Sequence, residues 1–219
     1  MSFITSQVTH GGIVMTADRY SVVRIFNPEK THIQREISTG HIYQKLYVTK
    51  NNIGISCSGV AEINNVTIER YIYDFIWELD TEKYPTPYDV AKYLLKYFRE
   101  LNPKLETDFH IGGYDFTDPK KPKPCLYYLV IDENTMNKVN KDNMYSGATF
   151  SSPSDFTEKI MHKVGSHYGK FTLRDAIEFA KFAAYATKDI MRFCGSNEAM
   201  SRELDMIVIR PDGVEWSEW

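Results

Sequence analysis

MSFITSQVTHGGIVMTAD, residues 1–18, holds two short strand-like runs on either side of His10-Gly11-Gly12. Residues 3–9 and 13–18 read as strands, and the glycines tolerate the positive φ angles of a tight hairpin turn. A reversal centred on His10-Gly11 sets Asp18 opposite Phe3, one residue from Ser2. A hydroxyl with a carboxylate folded back against it is a candidate nucleophile site, for which the rest of the chain must supply a base, an oxyanion hole and a pocket. A plain edge hairpin whose Asp18 only ends a strand accounts for the same residues.

The whole chain narrows the function classes. Its 219 residues fit one domain, 1–219, and 42% apolar with 14% aromatic residues suffice for a substantial core. A net charge of −3 with interspersed signs excludes a nucleic-acid surface as the main business. Cys57, Cys125 and Cys194 are widely spaced, with no CxxC, so neither a metal nor any other cofactor is expected. Reduced thiols suit a cytoplasmic protein. No apolar run reaches the roughly 18 residues of a membrane helix, and the N-terminus lacks a signal-peptide pattern. Ser2 is therefore expected as the mature N-terminus once Met1 is removed.

Residues 19–41 are irregular and resemble an inserted hairpin or loop. Residues 42–49, IYQKLYVT, alternate as a strand, with Tyr43, Lys45 and Tyr47 on one face. Lys45 falls in mid-strand. A desolvated lysine can serve as a base, although a sheet-edge lysine that snorkels is the plainer reading. The run IGISCSG, 53–59, is that of a buried central strand. A helix is expected over 60–79, which would put Gly59 at a strand-to-helix junction with outward amides suited to an oxyanion. A second helix starts at Thr86-Pro87 and ends at Asn102-Pro103. Strands follow at 107–115, 125–132 and about 135–139, with His110 read as a packed core histidine. Then come two more helices, one from Ser152–Asp155 to Val164 and one from Thr172 to about Arg192, and the strands ELDMIVIRPDG and VEWSEW. This order predicts an α+β four-layer αββα sandwich.

These segments together resemble the proteasome β subunit and its bacterial relative HslV, both N-terminal nucleophile (Ntn) hydrolases. The resemblance is carried by GGIVMTADRY, YQKLYVTKNNIGISCSGVAE, HIGGYD, CLYYLVIDENT, NMYSGAT, FTLRDAIEFAKFAAYATKD and ELDMIVIRPDGVEW. In that family the aspartate lies sixteen positions after the nucleophile, and Asp18 stands sixteen after Ser2. The lysine lies fourteen before the oxyanion glycine, and Lys45 stands fourteen before Gly59. The resemblance also assigns Ser146 and Asp189 to hold the N-terminal amine, and Tyr20, Ser21, Val22, Cys57 and Ala61 to line the substrate pocket. Serine replaces the proteasome's threonine, and Arg192 stands where the family has a further serine.

The implied activity is peptide-bond hydrolysis through an acyl-enzyme. Ser2 attacks the carbonyl, its own α-amine (ordinary pKa about 7.7–8.0) takes the proton, and the Gly59 amide stabilises the oxyanion. Expected partners are a peptide or unfolded protein substrate, further copies of the chain in a homo-oligomer, and an ATP-dependent unfoldase, but no nucleic acid and no membrane. An inactive scaffold of the same fold and a transpeptidase or peptide ligase are the alternatives.

Overall fold

The opening hairpin forms with the expected register. In the computed structural model, which describes residues 3–26, 33–140, 146–151, 155–165, 167–193 and 203–218, strands β1 (Ile4–Thr9) and β2 (Gly12–Asp18) pair from Ile4 opposite Ala17 to Thr9 opposite Gly12. The Asp18 amide donates to the Phe3 carbonyl at 3.0 Å. Every residue of both strands is buried, so this is no edge hairpin.

The chain continues through β3 (Tyr20–Phe26), β4 (Ile33–Ile42), β5 (Leu46–Val48), β6 (Gly54–Gly59), β7 (Glu62–Ile63) and β8 (Val66–Thr67). Helices α1 (Ile68–Glu78) and α2 (Pro87–Leu101) follow, then β9 (Thr107–Asp115), β10 (Lys123–Val130), β11 (Thr135–Lys138) and β12 (Gly147–Ser151). Helix α3 (Asp155–Gly165), a 3-10 turn (Tyr168–Lys170), α4 (Leu173–Phe193), β13 (Leu204–Arg210) and β14 (Gly213–Glu218) complete it.

One five-stranded sheet has the order β12-β1-β2-β13-β14, and the other β11-β10-β9-β6-β5. Between them pack Ile4, Val8, Ile13, Met15, Ala17, Ile207 and Ile209 from the first sheet, and Leu46, Tyr114 and Leu126 from the second. Each isoleucine, leucine, valine or methionine among them contributes about 1.5–3 kcal/mol when fully buried. The outer face of the second sheet carries Ile55, Phe109, Ile111 and Leu129 against Ile72 and Phe75 of α1 and Val90, Leu94 and Phe98 of α2. On the first sheet, Ala176 and Ala180 of α4 lie against Val14, Met206 and Val208. Helix α2 begins where Thr86 and Asp89 cap each other reciprocally with Pro87 at the first position, as its sequence predicts.

The expected α+β four-layer αββα sandwich is corrected. The described residues form a mostly antiparallel, strand-rich fold with four α-helices, and not all of it falls into matched layers. Strands β3 and β4 make a two-stranded ribbon of their own, and β7 and β8 a second one. Helix α1 is appended to β8, and α3 leans on α4 and the edge strand β12, while α2 and α4 make the broad contacts with a sheet.

The ribbon β7–β8 also corrects the helix expected over 60–79. Asn64 and Asn65 both take positive φ, 52° and 62°, which is the turn of a two-residue hairpin. The helix therefore begins only at Ile68. The strand expected over 42–49 shrinks to Leu46–Val48, so Lys45 precedes the strand and is not in its middle. Among the described residues, no helix is long and apolar enough to cross a membrane.

Candidate active site

At the start of β1 the Phe3 ring packs among Met161, Ala183, Ala184 and Leu204. That anchors the strand's first backbone amide, which donates to Asp18 Oδ1 at 2.8 Å. The same carboxylate oxygen accepts from Lys45 Nζ at 2.9 Å. Asp18 is fully buried and Lys45 is 6% exposed. Burying these charges is tolerable only because they are paired and hydrogen-bonded. Lys45 is itself fixed by its carbonyl, which accepts from the Cys57 amide at 3.0 Å and continues the β5–β6 pairing.

Residues 1 and 2 lie outside the described residues. Covalent geometry nevertheless bounds the reach of Ser2, since successive Cα atoms stand about 3.8 Å apart. Residue 2 is one peptide unit from an amide already bonded to the Asp18–Lys45 pair.

A second ion pair, which the sequence did not disclose, adjoins the first. Arg19 Nε donates to Asp205 Oδ1 at 2.8 Å, and Arg19 also lies 3.9 Å from Glu203. Asp205 is buried on β13, opposite Ala17. The pair of adjacent residues Asp18 and Arg19 thus ties β2 to Lys45 on one side and to β13 on the other. The only hint in sequence was the acidic Glu203-Leu204-Asp205 leading into an apolar strand.

Gly59 ends β6 exposed, at φ 142°. A Cβ there would come within 2.3 Å of the Glu106 carbonyl oxygen, so the position admits only glycine. Its expected place at a helix N-terminus is corrected, because α1 starts nine residues later. The next amide, of Val60, donates to Thr107 Oγ1 at 3.3 Å.

Of the expected pocket residues, Cys57 is 4% exposed within the core under α1 and α2, and burial pushes its thiol up to about 12. Lys45, close by, opposes that rise only in part. Ala61 is partly exposed, and its carbonyl accepts from the Ile68 amide at 2.9 Å. Tyr20, Ser21 and Val22 open the β3 ribbon; their side chains lie outside what is described.

Two of the assigned residues lie away from the start of β1. Ser146 stands at the far end of β1, because β12 pairs Gly147 with Val8 and Ser151 with Ile4. Its hydroxyl lies against Gly169 of the 3-10 turn. Asp189 sits on the outer surface of α4, 60% exposed, 3.6 Å from Arg192. Neither reaches the start of β1.

The β12 residue at the site end is Ser151, whose hydroxyl donates to Asp108 Oδ2 at 3.0 Å. Burial raises the Asp108 carboxyl above the usual range, and hydrogen bonds from Ser151 and Tyr128 partly offset it. Asp108 pairs with Ser58, beside Gly59. Helix α4 meets Phe3 through Ala183 and Ala184, and one turn on Thr187 is a buried hydroxyl bonded to Thr157 of α3 and donating to the Ala183 carbonyl at 2.7 Å. The structure therefore unites Asp18, Lys45 and the backbone next to Ser2, with Cys57 and Gly59 on the adjacent strand. A buried ammonium held by a carboxylate, beside a serine's backbone, can orient and electrostatically support a nucleophile.

No protein-family model matches the chain, and no curated protein matches its sequence. Similar solved structures include a Gly-1 mutant of Anbu from Hyphomicrobium sp. strain MC1 (TM-score 0.66, 14% identity, covering 100% of this chain and 86% of that one). Another is Anbu from the same strain (TM-score 0.63, 13% identity, 94% and 81%). A third is Anbu, an ancestral beta-subunit, from Yersinia bercovieri (TM-score 0.66, 11% identity, 98% and 86%). The resemblance to the proteasome β subunit and HslV is thereby corrected: these neighbours are Anbu, a proteasome-like relative but a distinct family. At 11–14% identity the likeness is one of fold alone, the fold of Anbu.

Proposed function

We propose that the chain is a peptidase that uses Ser2, freed by removal of Met1, as its nucleophile. The observation that carries this reading is the Asp18 carboxylate, bonded at once to the Phe3 amide at 2.8 Å and to Lys45 Nζ at 2.9 Å in a buried setting next to residue 2. Ser2 Oγ attacks the substrate carbonyl carbon while its proton passes to the Ser2 α-amine. The tetrahedral oxyanion is met by the Gly59 amide and the Lys45 charge. The C–N bond breaks as the α-amine returns the proton to the leaving amine. Water, activated by the same amine, then releases the acyl group from Ser2.

Intact mass and labelling test this together. The reading expects a mass lacking Met1 and covalent capture of Ser2 by an electrophilic peptide, with capture abolished in Ser2→Ala. A retained Met1 makes the α-nitrogen an amide and sinks the reading, and so does an unlabelled wild type with a free Ser2 amine, which favours an inactive scaffold. Joined products with an added amine peptide would make the enzyme a ligase.

The expected homo-oligomer is a proposal of the same kind. Phe182, Tyr185 and Phe193 stand exposed along α4 with the Asp189–Arg192 pair among them, a surface suited to a second copy. Sedimentation velocity of wild type and Phe193→Glu tests it: an unchanged monomer in both discards the oligomer.

A further inference from the structure

Among the described residues, a seam of small and polar side chains interrupts the apolar packing between the two sheets. On the second sheet, Gly54 faces Gly112, Ser56 faces His110 and Ser58 faces Asp108 across the β6–β9 pairing. The glycine pair is closed off, since a Cβ at Gly54 or Gly112 would lie 2.6 or 2.9 Å from Met15 Sδ. The next pair is polar and wholly buried: Ser56 and His110 are both 0% exposed.

His110 Nδ1 is bonded to Ser6 Oγ of the opposite sheet at 2.9 Å, and its ring edge meets Tyr128 with centroids 5.6 Å apart. His110 Nε2 and Ser56 Oγ, however, have no hydrogen-bond partner among the described residues. Two orphaned polar atoms on directly paired residues of one sheet face are not independent accidents. Buried polar groups in native folds are satisfied by protein or by ordered water.

We infer that a water molecule is bound between the sheets, bridging Ser56 Oγ and His110 Nε2. Cβ atoms of directly opposed residues stand about 4.5–5.5 Å apart. The serine hydroxyl stays close to its Cβ while the imidazole Nε2 projects well beyond its own, a separation of roughly two hydrogen bonds that one water can span. The chemistry closes without a net charge. Burial lowers the His110 pKa to about 3, so the ring is neutral, with one nitrogen a donor and the other an acceptor. With Nδ1–H donating to Ser6, the water donates to Nε2 and accepts from the Ser56 hydroxyl. In the other tautomer Ser6 donates to Nδ1, Nε2–H donates to the water, and the water donates to Ser56. The water ties β6 to β9 within the second sheet, and the Ser6–His110 bond carries the same chain of hydrogen bonds across to β1 of the first sheet.

A crystal structure at about 1.2 Å of the whole chain tests the site. The expected result is one ordered water within hydrogen-bond distance of both atoms, about 2.6–3.2 Å. A dry gap, or Ser56 turned to a backbone carbonyl, overturns the inference. In solution, the ring nitrogens of ¹⁵N-labelled His110 are compared between wild type, Ser56→Ala and Ser56→Thr. Ser56→Ala is expected to shift Nε2 and leave Nδ1 in place, while Ser56→Thr, which keeps the hydroxyl, restores the wild-type signal. An Nε2 resonance unmoved by Ser56→Ala overturns it as well.

Discussion

Two buried polar clusters lie between or beside the same strands, and they are built on opposite terms. At the site end, Asp18 and Lys45 are charged, face each other at 2.9 Å, and are tied to the backbone of residue 3. Farther in, Ser6, Ser56 and His110 are neutral, and two of their atoms lack a protein partner among the described residues. A fully paired charge so near a chain terminus contributes little net stability over an apolar replacement. On the proposed function, the pair serves the chemistry at residue 2. The neutral cluster is set where it can only join the two sheets. On the proposed function, paired charge marks the working end, and neutrality with the inferred water marks the structural middle.

The largest effect separating the two clusters should come from removing one charge. Lys45→Met keeps much of the side chain's volume but leaves the Asp18 carboxylate buried without its ammonium. Chemical denaturation should show a loss of about 3–5 kcal/mol. Ser6→Ala only strips His110 Nδ1 of its partner and should cost about 1–3 kcal/mol. The double variant Asp18→Asn, Lys45→Met should recover a good part of the single variant's loss, while peptide labelling at Ser2 stays abolished. Equal losses for Lys45→Met and Ser6→Ala would erase the distinction between the clusters.

A somewhat smaller effect follows from pH. His110 is held neutral in the fold down to about pH 3, from an ordinary value of 6.5, by burial. As pH falls through 6.5 the unfolded chain takes up a proton that the folded chain refuses. Stability from this group is complete above 6.5 and drains away as pH drops toward 3, at about 1.4 kcal/mol per pH unit once well below 6.5. Roughly 2–3 kcal/mol should be gone by pH 4.5, a window above most carboxylate titrations. Asp108, joined to the seam through Tyr128, acts in the opposite sense: its raised carboxyl favours the fold at the acid end. Urea midpoints of wild type and His110→Gln between pH 7 and 4.5 check this. A slope unchanged by His110→Gln would mean that the seam is already open to solvent.

What the sequence disclosed was local or periodic. The register of Phe3 with Asp18 was legible because two glycines fix the reversal and the strands are short. The α2 boundaries were legible from Thr86-Pro87 and Asn102-Pro103. The contact of Asp18 with Lys45 was legible only through spacing borrowed from a resemblance that the solved structures replace with Anbu. The late start of α1 was within reach, because Asn64-Asn65 is a strong turn dipeptide, but the apolar stripe beyond it masked the signal. Ser6 with His110, Arg19 with Asp205 and Ser151 with Asp108 were out of reach. Each joins residues 43 to 186 positions apart, two of them across the sheets and one between neighbouring strands far apart in the chain, and no local rule fixes such meetings.

The smallest effect tests where the charged cluster stops. Ser146 stands beyond the Val8 end of β1, roughly 20 Å along the strand from the level of Phe3 at about 3.3 Å per residue. Asp189 is 60% exposed, and its partner Arg192 is 59% exposed. Exposed pairs of this kind contribute about 0–1 kcal/mol, because solvent screens them and two long side chains lose entropy to meet. Asp189→Ala and Ser146→Ala should therefore leave the urea midpoint nearly unchanged and the Ser2 labelling rate within about twofold of wild type. Asp108→Asn, made alongside them, should slow labelling more than either, since Asp108 lies beside Ser58-Gly59 and is bonded to the β12 residue opposite Ile4. If Asp189→Ala slowed labelling as strongly as Lys45→Met, the working end would have to reach across α4. The division between a charged terminus and a neutral middle would then be the wrong way to partition this fold.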